Sequence, residues 1–340
     1  SEIGGIVGDI ENQPFLEAIR QFGQRTGREN VLYIHLTLVP YLSAAEEIKT
    51  KPTQHSVGML RQAGIQPDIL ICRTEKHISA EIKEKLSLFC NVDRNAIIEE
   101  RDVKPYLYEI PLILVEQGLD KLIIQKLGLK TNGNTLHKWL SILDVLKNPQ
   151  QATEIAIVGK YICHQSSYES IYESLIHGGI GNNARVRVRR VESEDIEKNG
   201  VQTHLEGVKG ILVPGGFGVR GVEGKIAAIR YAREKNIPFF GICLGLQCAS
   251  IEFARNVCAL KGANSTEFEV NTPHPVISLL EEQHKVSHKG GTMRLGAQPC
   301  IIQPGTKAFN AYGREEISER HRHRYEFNND YKELFQSHGM

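Results

Sequence analysis

Apolar runs alternate with helical patterns along the first part of the chain. After Pro14, apolar residues at 15, 16, 19 and 22 share one face of a helix, and proline is tolerated in the first helical turn. The run from Val31 to Val39 is almost continuously apolar and β-branched, which is typical of a strand covered on both faces in a parallel sheet. Residues 68–72 repeat this pattern. Further helices are predicted at about 80–89, 111–118 and 135–147.

The alternation resumes after a segment rich in Asn, Gly, Gln and Pro between residues 128 and 153. The spacing predicts strands at 155–158, 186–191, 210–213 and 238–242, and helices at about 168–177, 225–234 and 244–260. Strands alternating with helices indicate an α/β fold, and a length of 340 residues suggests two domains. We therefore expect a first domain over 1–130, a linker with one helix over 131–152, and a second domain over 153–340.

Composition and charge exclude several classes of protein. With 41% hydrophobic and 24% charged residues, intrinsic disorder, collagen and coiled coil are poor interpretations. The formal net charge is +1, so no global field favours nucleic acid or an anionic membrane, although this balance still allows a local basic pocket. No apolar stretch approaches the roughly 18 residues of a membrane span, and no signal-peptide pattern is present, so we predict a cytoplasmic protein.

The clearest chemical motif is a cysteine between two glycines, Gly241-Ile-Cys243-Leu-Gly245, at the end of a predicted strand and the start of a helix. This layout is typical of a nucleophile elbow, and the helix N-terminus would favour the reactive thiolate. The seven cysteines include no C-x-x-C pair, which argues against a disulfide framework or a thiolate zinc site. The alternative, a buried small hydrophobe, is the better interpretation of four others: Cys72, Cys248, Cys258 and Cys300.

A Gly-rich turn at residues 214–221 follows the predicted strand at 210–213. Parallel strands deliver their carboxyl ends to one edge of a sheet, so the turn can lie beside Cys243 and offer backbone N–H groups to an oxyanion. It is not a phosphate-binding Walker loop, because Lys225 is followed by Ile226 rather than Ser or Thr.

Several segments together resemble the CTP synthase family. Residues 2–11, 36–41, 49–56 and 67–73 are similar to the family's synthase domain, and 214–221, 241–247, 264–268, 290–296 and 319–326 to its glutamine amidotransferase domain. The resemblance implies two α/β domains: a partial P-loop-type synthase (amidoligase) domain with a parallel sheet, then a class I, flavodoxin-like glutamine amidotransferase domain. It also implies a reaction in which ATP phosphorylates the 4-oxygen of UTP and ammonia from glutamine displaces the phosphate.

The resemblance assigns a glutamine site to the second domain. Cys243 would attack the side-chain amide, N–H groups of Gly216 and Leu244 would stabilise the oxyanion, and Arg324 would bind the α-carboxylate. The full set of implied glutamine-binding residues is Gly216, Leu244, Gly245, Leu246, Gln247, Glu267 and Arg324. Without the resemblance, residues 320–324 would be interpreted as a solvated basic strand or as a metal-binding histidine pair.

The resemblance places the nucleotide sites in the first domain, where Lys49, Lys51 and Gln54 would belong to the family's pyrimidine-nucleotide loop and Lys85 would contribute from a helix. The implied UTP and CTP residues are Asp9, Ile10, Glu11, Lys49, Thr50, Lys51, Pro52, Thr53, Gln54 and Lys85. Arg73, Asp102 and Val103 would bind ATP, and Glu2 would bind Mg²⁺, with no organic cofactor. GTP as allosteric effector and a homotetramer are implied in the same way. Without the resemblance, surface lysines in ordinary solvent would be the simpler interpretation of Lys49, Lys51 and Lys85.

Two family features are not found in this sequence: a phosphate loop upstream of residues 2–11 and a His-x-Glu near the C-terminus. We therefore expect the chain to be a piece of the family's longer enzyme. A noncatalytic module that binds pyrimidine nucleotide or assembles with intact subunits is the alternative, and a stand-alone cysteine hydrolase is a third, disfavoured by the matches in the first half.

Overall fold

A three-stranded parallel sheet organises the first of two units, Ser1–Lys147. The computed structural model describes residues 1–103, 106–131, 133, 136–162, 165–279 and 294–340. The strands of the first unit are β1 (Ile34–Leu38), β2 (Tyr41–Leu42), β3 (Glu47–Ile48), β4 (Ile69–Thr74) and β5 (Ile97–Arg101). Its helices are α1 (Gln13–Thr26), α2 (Lys51–Gln62), α3 (Ala80–Cys90), α4 (Ile110–Glu116), α5 (Leu119–Lys126) and α6 (His137–Lys147). The sheet order is β1-β4-β5, and β2 and β3 form a hairpin.

Strand β4 is buried as its apolar run predicts, whereas β1 is not. Leu70 and Cys72 of β4 have no solvent exposure. In β1, Leu36 and Leu38 share one face of the strand and are 59% and 58% exposed, whereas Thr37 on the other face is 6% exposed, so one face of β1 is uncovered. The prediction that β1 is covered on both faces is therefore wrong.

Helix α2 (Lys51–Gln62) includes Lys51 and Gln54, which the resemblance assigns to a nucleotide loop. Pro52 stands in its first turn, where the missing N–H costs no hydrogen bond. The fully buried Thr53 attaches α2 to the sheet by donating to the carbonyl oxygen of Leu38 at 3.0 Å. The loop assignment is corrected to a helix that begins at Lys51.

The helix of the predicted linker packs within the first unit. Trp139 of α6 donates through Nε1 to the carbonyl oxygen of Tyr108 at 2.6 Å, and Lys147 pairs with Glu109 at 2.9 Å. The boundary between the units falls between Lys147 and Asn148, inside the predicted 131–152 segment. The first strand of the second unit begins at Gln151.

A four-stranded parallel sheet organises the second unit, Asn148–Met340, in the order β7-β6-β8-β9. Its strands are β6 (Gln151–Gly159), β7 (Ala184–Glu192), β8 (Gly210–Val213), β9 (Phe239–Gly241), β10 (Ala263–Ser265), β11 (His274–Leu279), β12 (Arg294–Ile301), β13 (Glu316–His323) and β14 (Tyr325–Phe327). Its helices are α7 (Glu169–Gly181), α8 (Ser193–Asn199), α9 (Gln202–Leu205), α10 (Val222–Glu234), α11 (Leu244–Asn256), α12 (Lys307–Tyr312) and α13 (Lys332–Ser337). The order of the main sheet is the flavodoxin-like one that the resemblance implies.

Two smaller sheets complete the second unit. Strands β10, β11 and β14 form one, and β12 pairs with β13 in an antiparallel hairpin. Within the described residues, no helix combines the length and the apolar character that crossing a membrane requires.

A buried carboxylate joins the two helices that pack beside β8. Glu252 of α11 is 1% exposed, and Arg233 of α10 donates to it through Nε and Nη2 at distances down to 2.7 Å. The side chain of Arg233 is 36% exposed, so solvent screens part of this attraction.

We expect Arg233→Ala to lower the free energy of unfolding of the second unit by about 2–3 kcal/mol, because it leaves a buried carboxylate without its cation. Urea unfolding followed by far-ultraviolet circular dichroism measures the change. Arg230→Ala is the matched control, since Arg230 pairs with Glu234 on the surface, and it should cost less than about 1 kcal/mol. Equal losses in the two variants would contradict the role given to burial.

Candidate functional site

Cys243 occupies a strained turn between β9 and α11. Its φ of 50° and ψ of −106° lie outside the regions that L-residues prefer, and it is the N-cap residue of α11. The two flanking glycines are sterically required. A Cβ on Gly245 would collide with the carbonyl oxygen of Val213 in β8, and one on Gly241 would lie 2.7 Å from the carbonyl oxygen of Gly245. The elbow predicted from the sequence is therefore formed.

The Gly-rich turn lies beside Cys243, as the parallel sheet predicts. A Cβ on Gly215 would lie 3.5 Å from the Cβ of Cys243, and one on Gly216 would lie 3.3 Å from a methyl group of Leu244. Glu267 joins the same group of residues, because its Oε1 accepts a hydrogen bond from the N–H of Gly218 at 2.9 Å. Three of the predicted glutamine-site residues, Gly216, Leu244 and Glu267, are thus brought together beside the thiol.

Burial raises the pKa of the Cys243 thiol above its usual value. The N–H of Leu244 acts in the opposite direction, and the carboxylate of Glu267 raises the pKa further. The expectation that the helix N-terminus alone gives a thiolate is therefore wrong for this site. Loss of solvation outweighs the backbone hydrogen bond, so the unliganded cysteine is a protonated thiol at neutral pH.

A cavity of about 500 Å³ opens on the other side of the thiol, between α11 and the strands β13 and β14. We call it the histidine cavity, and its lining includes Cys243, Leu246, Gln247, His321, Arg322 and His323. Gln247 donates to the carbonyl oxygen of Tyr325 at 2.9 Å, and the Cys243 sulfur lies 4.0 Å from the carbonyl oxygen of Arg322.

The basic run at 320–324 divides between the cavity and its border. Arg320 and Arg322 line the histidine cavity, and the ring nitrogens of His321 and His323 are 3.0 Å apart. Arg324 is the residue predicted to bind the α-carboxylate. It is not among the described residues that line the cavity, and it lies between β13 and β14, next to Tyr325. Burial and the charge of Glu267 raise the pKa of the Tyr325 phenol and the charge of Arg324 acts in the opposite direction, so Arg324 and Glu267 both lie near that phenol.

Lys160 is a site residue that the sequence reading missed. It follows the last residue of β6, is 7% exposed, and donates through Nζ to the carbonyl oxygens of Phe217 at 2.8 Å and Gly218 at 3.0 Å. Its position in the sequence could have indicated this role, because it directly follows an apolar strand that ends in Gly159, at the same sheet edge as the Gly-rich turn.

The prediction that Cys300 is buried is wrong. It is exposed on β12 rather than buried, whereas Cys72, Cys248 and Cys258 are buried as expected. Cys163 and residues 290–293 of the motif at 290–296 lie outside the described residues.

The residues predicted to bind ATP lie where β4 and β5 end. The N–H of Val39 donates to the carbonyl oxygen of Arg73 at 2.8 Å, and the N–H of Asp102 donates to that of Thr74 at 3.1 Å. Arg73 and Asp102 form an ion pair of 2.9 Å, which raises the pKa of the guanidinium. Val103 follows directly in the chain, so the three residues proposed for ATP are neighbours.

Three lysines approach the N-terminus of α2. Lys49 pairs with Glu47 at 2.6 Å, and this hydrogen bond, with the nearby charge of Lys85, lowers the pKa of Glu47. Lys51 is the first residue of α2, and its ammonium lies 6.0 Å from the centre of the Phe89 ring. A helix N-terminus surrounded by cations favours a bound anion.

The neighbouring polar residues mainly support α2. Gln54 donates to the hydroxyl of Thr50 at 3.0 Å, while Thr53 is buried against β1. These contacts favour a structural role for Thr53 over direct contact with a nucleotide.

Residues 9–11 have described hydrogen bonds within the N-terminal segment. Asp9 accepts from the N–H of Ile6 at 2.8 Å, and Ile10–Asn12 form a short 3₁₀ turn in which Ile10 is 86% exposed. The preceding Gly8 touches α2, since a Cβ there would collide with Met59.

Glu2, the predicted magnesium ligand, is exposed and offers a single carboxylate. Within the described ranges, no group of three or more histidines, cysteines or carboxylates is placed to hold a metal ion. A Mg²⁺ that is held largely by phosphate oxygens and water needs only one or two protein carboxylates, so Glu2 fits such a site as one ligand.

Comparison with known proteins identifies the family. The family model described as CTP synthase N-terminus matches residues 1–129, and the model described as glutamine amidotransferase class-I matches residues 165–338. The CTP synthases of Methanocaldococcus jannaschii and Moorella thermoacetica are each 56% identical to the chain, over 345 and 340 residues, and these alignments cover 100% of the chain. The chain belongs to the CTP synthase family.

The chain spans 64% and 63% of the length of these two CTP synthases. Among solved structures, the glutaminase domain of Trypanosoma brucei CTPS with bound acivicin is 38% identical, with a TM-score of 0.51. The match covers 55% of this chain and 72% of that one. The assignment of the two units to a synthase part and a glutamine amidotransferase part is thereby confirmed.

We expect iodoacetamide at pH 7 to label exposed Cys300 before Cys243, and labelling of Cys243 to keep accelerating above pH 9. A raised pKa means that less thiolate is present at any pH below it, so reactivity grows until the pH passes that value. Peptide mapping after brief labelling between pH 6 and 10 measures both rates. Glu267→Gln should speed Cys243 labelling about two- to fivefold, because it removes a negative charge that disfavours the thiolate. Faster labelling of Cys243 than of Cys300 at pH 7 would contradict the raised pKa.

Proposed function

We propose that the second unit cleaves the side-chain amide of glutamine through Cys243. The observation that carries this proposal is the strained thiol at the start of α11, with the Gly-rich turn and Glu267 beside it. N–H groups of Gly216 and Leu244 would donate to the oxyanion that forms on the amide oxygen. Glu267 would bind the α-ammonium group of glutamine, and Arg324 its α-carboxylate, which a planar guanidinium fits.

The proposed step exchanges one bond to the amide carbon for another. The Cys243 sulfur attacks this carbon, a C–S bond forms, the C–N bond breaks, and the proton of the thiol ends on the departing ammonia. Water then hydrolyses the thioester to glutamate and restores the thiol. Because the unliganded thiol is protonated, the proton that the leaving nitrogen needs is already present at the start of the reaction.

In the complete reaction, we propose that this ammonia aminates UTP to CTP. ATP would phosphorylate the 4-oxygen of UTP, and ammonia would displace the phosphate, leaving ADP and inorganic phosphate. Arg73, Asp102 and Val103 are proposed for ATP, and Lys49, Lys51, Gln54 and Lys85 for the pyrimidine nucleotide. When bound, Mg²⁺ would neutralise phosphate charge, with Glu2 as one ligand; a cytoplasmic homotetramer regulated by GTP belongs to the same proposal.

A second candidate is a noncatalytic module that binds pyrimidine nucleotide. The observation that favours it is a difference between the two units. In the second unit the pKa of the Cys243 thiol is raised, whereas in the first unit the lysines already lie close to the start of α2. In that case the first unit would bind nucleotide, and Cys243 would not catalyse the cleavage of glutamine.

We expect an activated γ-ester of glutamate with a p-nitrophenol leaving group to acylate Cys243. This leaving group departs without a proton, so the acylation step is isolated from proton donation. A burst of nitrophenol equal to the protein concentration, together with the mass of one glutamyl group on Cys243, is the expected result. Cys243→Ser should abolish the burst, and Cys248→Ser, at a fully buried thiol on the same helix, should retain it. Absence of any nitrophenol release that depends on Cys243, or a glutamyl group on another cysteine, would rule out the glutaminase proposal.

We expect UTP and CTP to bind more tightly than uridine and cytidine, because the lysines act on the triphosphate. Calorimetry should show Lys49→Ala, Lys51→Ala and Lys85→Ala each weakening UTP binding about three- to tenfold, with affinity falling as salt rises. Lys138→Ala, which removes an exposed lysine on α6, is the control and should change nothing. Equal affinity for nucleoside and triphosphate would remove the lysine assignment.

A further inference from the structure

We infer that Lys160 is a positioning residue for the oxyanion site, because its ammonium fixes the conformation of the Gly-rich turn beside Cys243. The catalytic consequence rests on the proposed function, whereas the effect on the turn does not. Lys160 lies across the turn from the thiol and is not proposed to touch the substrate.

The position of Lys160 is set by the end of β6. Its own carbonyl oxygen accepts a hydrogen bond from the hydroxyl of Tyr168 at 2.6 Å, and the preceding Gly159 leaves room for Pro214, because a Cβ there would lie 3.0 Å from the proline ring. The side chain is almost fully buried, and two of its three donors can be used by carbonyl groups of the turn. Those two carbonyls belong to consecutive residues of the turn, Phe217 and Gly218.

The peptide groups of Gly218 are held from opposite sides by opposite charges. Its N–H donates to the carboxylate of Glu267, and its carbonyl oxygen accepts from the ammonium of Lys160. Gly218 has φ of +74°, a conformation that glycine adopts without strain. Two charge-assisted hydrogen bonds at one residue therefore select one conformation of a segment that glycine would otherwise leave free.

A second cation fixes the far end of the turn. Arg220 pairs with Glu194 at 3.3 Å and lies 4.8 Å above the ring of Tyr161. With this end attached to α8, the remaining freedom lies in the peptides of residues 216–218, which Lys160 contacts. Gly216, whose N–H is proposed for the oxyanion, is two residues before Gly218, so a rotation of these peptides would change the direction of that N–H.

Loss of the ammonium would leave the carbonyl groups of Phe217 and Gly218 without their charged donor. Both residues are exposed, so their peptides would then be free to turn toward another donor or toward water. The thiol itself would keep its place, because it is fixed by the contact of Gly245 with β8 and not by the turn.

Lys225 provides a matched control in the same unit. It is 1% exposed, burial lowers its pKa to about 8, and its ammonium has no hydrogen-bond partner among the described residues. Lys160→Met and Lys225→Met thus each remove a buried ammonium group. Of these two groups, that of Lys160 contacts the turn and that of Lys225 does not.

The experiment compares the full chain with both variants in three measurements. Hydrogen exchange with mass spectrometry follows the amides of residues 215–219, and the nitrophenyl γ-ester of glutamate measures acylation of Cys243. Iodoacetamide measures the intrinsic reactivity of the thiol, since direct displacement at its carbon develops no oxyanion. For Lys160→Met we expect at least tenfold faster exchange in the turn and ten- to hundredfold slower acylation, with alkylation within threefold of the unchanged chain. Lys225→Met should leave all three within threefold.

Unchanged exchange in the turn of Lys160→Met would overturn the inference. So would faster exchange throughout the second unit, or an equal loss of acylation and alkylation, because either result describes general loosening. If the unchanged chain is not acylated while Lys160→Met still frees the turn selectively, the positioning of the turn is supported and the glutaminase proposal fails. Rapid acylation of Lys160→Met with a mobile turn would overturn the catalytic part of the inference.

Discussion

The close approach of helix α11 to strand β8 is the constraint on which the second unit depends. Gly245 brings the helix against the carbonyl oxygen of Val213, a contact that no side chain larger than hydrogen allows. This contact forces Cys243 into its positive-φ conformation and directs the start of α11 at the sheet edge. Strand β8 continues directly into the Gly-rich turn, so one steric requirement fixes both the nucleophile and its neighbouring N–H groups.

Burial and charge act against each other at this thiol. The helix N-terminus and the Leu244 N–H favour a thiolate, but burial and the Glu267 carboxylate disfavour it more strongly. A bound α-ammonium group would neutralise part of the Glu267 charge and lower the cost of forming the thiolate. Such coupling would link activation of the nucleophile to occupancy of the site, and it requires no movement of the backbone.

Local patterns in the sequence predicted most of the main sheets. The apolar runs of β4, β6 and β8 and the motif around Cys243 gave their positions within a few residues, because strand burial and glycine geometry are local properties. Helix α2 was missed because a proline and polar residues at its start looked like a loop. The β10-β11-β14 sheet was missed because its strands pair across some fifty residues, and no local pattern encodes that register.

The residues of the candidate sites differ in the same way. Some belong to a local sequence motif, and others depend on contacts with distant parts of the chain. Cys243 and the Gly-rich turn could be predicted because each motif contains its own geometry. Lys160 could not, since it lies 57 residues before the carbonyl of Phe217 that it contacts, and a lysine after a strand is ordinarily a surface residue. The exposed face of β1 likewise depends on which elements pack against it, and an apolar run alone cannot show whether one face or both are covered.

Both units bring functional groups to the carboxyl edge of a parallel sheet, but they use cations differently. In the first unit, Lys49 and Lys51 lie at the start of α2, where Lys49 pairs with Glu47 and Lys51 is exposed, and we propose that these flexible side chains bind a polyphosphate. In the second, Lys160 is buried and engaged with backbone carbonyls, so its charge orders the protein and does not attract a ligand. A triphosphate can be bound by charges that move with it, whereas an oxyanion that exists only briefly needs donors already in place. The different burial of these lysines fits the difference between the two ligands proposed for these sites.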